Sequence, residues 1–162
     1  MLKDNVELVK KVMDEEGWRY EEKTLSSAVA FTGGIGGFAG MFRAFQFQLI
    51  VGENEVQNYA LFPMSAPPEK ISEVAELVAR LNFRQMFGGF LLDCESGEIR
   101  YHIAFPSAEV VRNAKDALAF LLFSPAQMLD MGSAAFTAVL TGMKSPKEAF
   151  DDCSKNQQEE RK

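Results

Sequence analysis

The chain has 162 residues, of which 47% are apolar and 25% charged, and its formal net charge is −6. Those proportions describe one ordinary globular domain with enough chain to bury a core. The acidic balance counts against a nucleic-acid-binding surface, which needs clustered Lys and Arg, and suits a basic or amphipathic partner.

Cys94 and Cys153 match no zinc or redox spacing, which fits a reduced cytoplasmic protein. The segment MLKDNVELVKKVMDEE is too charged for a signal peptide. Residues 24–42 are uncharged, but they are rich in Gly, Ser and Thr and make a poor membrane span, so none is expected.

In chain order, a first helix is expected over 4–16. Asp4 caps it, Glu7 completes a capping box, and Val6, Val9, Val12 and Met13 form its buried stripe up to Gly17. A strand follows over 18–23. Segment 25–41 carries Gly33, Gly34, Gly36, Gly37 and Gly40. It lacks the Gly-Lys-Ser/Thr ending and the following helix of a phosphate loop, so a glycine-rich hairpin is the expectation. Residues 41–51 alternate, with Phe45, Phe47, Leu49 and Val51 on one face. Beyond a turn at 52–55, a strand over 56–64 sets Val56 against Val51, Ala60 against Phe47, Phe62 against Phe45 and Tyr59 beside Gln48. The second helix covers 69–81, with Ile71, Val74, Ala75, Val78 and Leu81 on one face.

The run GGFLLDCESGEIRYHIAFP, residues 88–106, reads as a hairpin. Its alternation sets Cys94 opposite Ile99, Leu92 opposite Tyr101 and Phe90 opposite Ile103, around a four-residue loop at 95–98, with Asp93 paired to Arg100. Ser107 caps a third helix whose stripe is Val111, Ala114, Leu118, Leu121 and Leu122. Pro125 interrupts it, and a fourth helix runs over 126–141 to Gly142. A short last helix starts at Pro146 and ends at Cys153, and 154–162 reads as a disordered tail. Helix, three strands, helix, two strands and helices, in the order α-βββ-α-ββ-α, indicate a single α+β domain over 1–153 with about five strands.

Leu81-Asn82, Gly88-Gly89-Phe90, Asp93 with Gly97 four residues on, Ile99, Tyr101 and Pro106 together resemble the YbjN-like family, described as "putative bacterial sensory-transduction regulators". VLTGMKSPKEAF, residues 139–150, looks like that family's closing segment, so the resemblance covers about 69–153. It implies an architecture similar to type III secretion chaperones: a twisted antiparallel sheet with helices packed on one side, usually dimeric.

No catalytic or metal constellation is expected, and no cofactor. His102 is the single histidine and has no Ser, Cys or carboxylate in motif spacing. Cys94 is expected to pack on the inner hairpin face. Phe120, Phe123, Met128, Met131 and Phe136 cannot share one helical stripe. They are either core covering the sheet or a surface that meets a second copy or a protein partner. The expected function is a non-enzymatic protein–protein interaction module, chaperone-like or regulatory, binding a protein or peptide segment as a homodimer. The alternative is a small-molecule sensor with a pocket between sheet and helices.

Overall fold

The structure is a computed structural model that describes residues 1–159. Helix α1 (Leu2–Glu15) precedes four strands: β1 (Glu21–Thr24), β2 (Val29–Gly36), β3 (Ala44–Val51) and β4 (Glu55–Leu61). A 3-10 turn (Pro68–Lys70) leads into α2 (Ile71–Asn82). The hairpin of β5 (Gly89–Leu92) and β6 (Ile99–Pro106) follows, then α3 (Ser107–Arg112), α4 (Ala114–Leu140) and α5 (Pro146–Glu159). The sheet order is β1-β2-β3-β4-β6-β5 and every pairing is antiparallel. The fold is α+β with a six-stranded sheet and helices packed against it. Among the described residues no helix is long and apolar enough to cross a membrane.

The sixth strand is β2, which lies inside the glycine-rich segment and pairs with β3 along its whole length, from Val29↔Val51 to Gly36↔Ala44. Glycine carries no side chain, so the strand hides its period of two. Gly33 has a packing reason: a Cβ there would lie 2.5 Å from the Arg19 carbonyl oxygen and 2.7 Å from the Phe47 ring. Beyond β2 the chain turns over residues 37–43 and folds Phe38 and Phe42 back onto Phe45, with ring centroids 5.3 and 6.1 Å away.

The β3–β4 register is the expected one, with Val51↔Val56, Phe47↔Ala60 and Gln48↔Tyr59. The β5–β6 register differs: Leu92 pairs with Ile99 and Phe90 with Tyr101. The inward face is unchanged, but the turn is residues 94–97, closed by the Asp93 N–H donating to Glu98 O at 2.9 Å. The Asp93 carboxylate accepts from the Glu95 N–H at 2.9 Å and the Ser96 hydroxyl at 2.7 Å, which nucleates the earlier turn. Two expectations are corrected by this shift. Cys94 is exposed in the turn rather than on the inner face, and Arg100 pairs with Glu98 rather than Asp93.

The two sheet edges are protected in different ways. Strand β1 is exposed throughout and carries Glu21, Glu22 and Lys23. At the other edge the Asn82 side chain donates to Phe90 O at 2.8 Å and accepts the Phe90 N–H at 2.7 Å, standing in for a neighbouring strand.

The carboxy-terminal helices depart most from expectation. The break falls at Asn113 (φ −147°, ψ 70°), and α4 runs unbroken through Pro125. Proline removes the N–H that Leu121 O would accept. The buried Asn58 of β4 supplies the substitute, its Nδ2 donating to Leu121 O at 2.8 Å. The break at Asn113 also resets the helical phase, so Val110 is buried and Val111 is exposed. Helix α1 starts at Leu2, with Asp4 in its first turn pairing with the Met1 amino group at 3.0 Å rather than capping. Helix α5 extends to Glu159, past the expected end at Cys153, and 160–162 lie outside the described residues.

Candidate interaction surface

The resemblance residues turn out to be structural. Leu81, Phe90, Ile99 and Tyr101 are buried, Asn82 closes the β5 edge, and Asp93 and Gly97 shape the turn. The Tyr101 hydroxyl donates to Phe87 O at 2.5 Å and ties loop 83–87 to the sheet, and burial pushes this phenol up to about 12.

On the sheet face away from the helices, His102 stacks on Tyr59 with centroids 4.5 Å apart, and its Nε2 lies 3.0 Å from Gln57 Oε1. An amide oxygen only accepts, so the contact selects the tautomer protonated at Nε2. Burial holds the imidazole below its ordinary value, and the charge of Glu55 opposes this only in part. The unfolded chain therefore takes up the proton near pH 6.5, before the folded chain does. This contribution to stability is complete above that pH and is lost as pH falls through it toward the folded value. Denaturant midpoints at about pH 7.5 and about pH 5.5 should show the drop, and His102→Gln should remove that share of it.

The described residues include no group of three His, Cys, Asp or Glu that could hold a metal ion. Cys153 is half-buried, its thiol 3.5 Å from Met131 O.

The five apolar residues singled out from the sequence separate cleanly. Phe136 is fully buried, its ring 5.4 Å from that of Phe62 and 5.3 Å from that of Phe90, so it is core and not part of a contact face. Met128 is half-buried against the core. Phe120, Phe123 and Met131 remain 43%, 42% and 37% exposed. They fall on one outward stripe of α4, with Gln127, Ala134 and Ala138 at helical spacing between and beyond them. Phe120 stacks on Phe105 at 5.7 Å and Phe123 meets the edge of Trp18 at 6.2 Å, so one side of each ring is held while the other faces out.

Toward its carboxy-terminal end the stripe becomes a groove. It lies between α4 and α5, encloses about 600 Å³, and is lined by Met131, Ala134, Ala138 and Cys153, with Lys144 and Asp152 among its charged residues. Nearby, Gly37–Ala39 of the β2–β3 turn face Phe123, Gln127 and Asp130 across a hollow of about 320 Å³. Burial raises the Asp130 carboxyl above the usual carboxylate range. Sequence reasoning missed the groove because alanine carries no pattern signal. It also missed the exposed Phe83, Met86 and Phe87, although three large apolar residues in a helix-to-strand loop were a legible signal.

Comparison with known proteins adds a family. The one described as "YbjN: Putative bacterial sensory transduction regulator" matches residues 5–118. The match begins earlier and ends earlier than the resemblance read from the sequence, and the outward stripe of α4 lies beyond it. Among solved structures the chain is similar to E. coli YbjN, described as "a putative transcription regulator", with 12% identity over 74% of this chain and 89% of that one and a TM-score of 0.43. No curated protein matches.

Proposed function

The chain belongs to the YbjN family, and from that premise we propose that it is a non-catalytic regulatory module of the cytoplasm that works by binding protein through the outward stripe of α4. The observation that carries this reading is the pair Phe120 and Phe123. Aromatic rings fixed on one side and exposed on the other are pre-organised anchors, the kind of residue that dominates protein interfaces. The adjoining methionine adds an adaptable apolar contact.

The test is complementation. A strain lacking the protein should regain its normal transcript profile with the natural chain. It should not regain it with Phe120→Asp/Phe123→Asp, provided circular dichroism shows the variant folded. Full complementation by the charged variant would overturn the reading. The sensor alternative finds its best site in the α4–α5 groove. The sheet-facing side of α4, where such a pocket was expected, is filled by Leu118, Leu121, Leu122, Leu129 and Phe136.

A further inference from the structure

Helix α4 carries two carboxylates, and the fold treats them differently. Asp116 accepts the Asn113 side-chain amide at 2.8 Å. Asp130 is given neither an ion pair nor a hydrogen bond by the described residues, and its Oδ1 is buried without a donor. Gly40 of the β2–β3 turn closes over that oxygen, where a Cβ would lie 2.4 Å from it. Burial alone raises this carboxyl, with no neighbouring charge to offset the effect. A carboxylate partly shut away from water in this manner gains strongly from a charged donor.

Asp130 stands where two hollows meet. The α4–α5 groove of about 600 Å³ and the hollow of about 320 Å³ beside Gly37–Ala39 share two lining residues, Gln127 and Asp130. The lysines of the groove are engaged elsewhere. Lys144 pairs with Asp152, and Lys155 lies in the field of Asp151 and Asp152. The unanswered charge of the groove is therefore negative. Beside it the wall is small and apolar, formed by Ala134 and Ala138 with Met131. A groove of this volume holds a small molecule. We propose that it binds a small organic ammonium ion, a primary amine on a slim apolar body, with Asp130 as the counter-ion. The ammonium also donates to the Gln127 amide oxygen, and the apolar body lies along the alanines of α4. An ammonium has three donors and no acceptor, which suits a carboxylate and an amide oxygen together. This site is separate from the anchors Phe120 and Phe123, and either reading can fail without the other.

Titration of the full natural chain with two probes, phenethylamine and hexylamine, followed by amide NMR at neutral pH, tests the site. At least one should bind with a Kd of about 1 mM or tighter and move the signals of Gly40, Gln127 and Ala134. Phenethyl alcohol and hydrocinnamate present a similar body without the positive charge. They should bind about tenfold more weakly or not at all. Asp130→Asn keeps the shape and removes the charge, and should weaken amine binding about tenfold. Ala134→Leu, at an exposed position that the core does not need, should narrow the groove and weaken it too. Failure of both amines to bind overturns the proposal. So does an alcohol that binds as tightly as the amine, or an Asp130→Asn chain that keeps the natural affinity. If both amines fail while Phe120→Asp/Phe123→Asp still fails to complement, the ammonium site falls and the protein-binding reading stands.

Discussion

Asn58→Leu is expected to destabilise the folded chain by about 2 kcal/mol on its own, and by almost nothing in a chain that also carries Pro125→Ala. The reason lies in the middle of α4. Leu121 O has lost its usual donor to Pro125 and takes the amide of Asn58 instead, 2.8 Å away and fully buried. A buried carbonyl left without a donor costs about 1–3 kcal/mol. Leucine is no smaller than asparagine, so no cavity opens. It also removes Asn58 Oδ1, which is buried without a donor, and that offset keeps the cost of the single change moderate. Alanine at 125 restores the helical N–H, and the carbonyl no longer needs help from the sheet. Denaturant midpoints of the four chains decide the matter. An equal cost of Asn58→Leu in both backgrounds would show that the proline and the asparagine are independent.

Gly97→Ala should cost more, about 4 kcal/mol, enough to leave a marginal domain partly unfolded. Gly97 sits at φ +76°, where an L side chain loses about 1–2 kcal/mol. A Cβ there would also lie 1.9 Å from Ala66 O. The turn cannot retreat, because Ala66 donates its N–H to Gly97 O at 2.8 Å and has its own side chain buried. Gly34→Ala on β2 is the control: it has ordinary φ and open space around it, and should change stability by less than about 1 kcal/mol. Urea unfolding of the two variants side by side would reveal the contrast, and its absence would mean that the turn is not clamped.

What could be read from sequence follows from where side chains speak. Phe45, Phe47, Leu49 and Val51 alternate against Val56 and Ala60, so the register of β3 with β4 was legible. In β5–β6 the alternation fixes only which face is inward. Two registers share that parity, and the choice between them is made by the Asp93 carboxylate through hydrogen bonds that no periodicity reveals. Strand β2 was hidden by its glycines. The unbroken α4 was hidden because the donor that rescues Pro125 comes from a strand 63 residues before the carbonyl it serves. Once α4 is continuous, its phase carries Phe136 inward with Leu129 and leaves Phe120, Phe123 and Met131 outward. The outward stripe was therefore visible in sequence as residues off the buried one. The alanines that line the α4–α5 groove were not, since alanine is equally at home inside and out.

The protected edges of the sheet have a consequence for the search for partners. A segment that binds by adding itself as a strand needs a row of free backbone donors and acceptors. This molecule offers a charged strand at one end and, at the other, a short strand whose Phe90 is already satisfied by Asn82. Libraries of extended peptides are therefore the poorer bait. Ligands that present side chains from a folded surface, helical ones above all, are the ones its shape admits. The same features, charge on β1 and Asn82 on β5, oppose edge-to-edge pairing between copies of a six-stranded sheet.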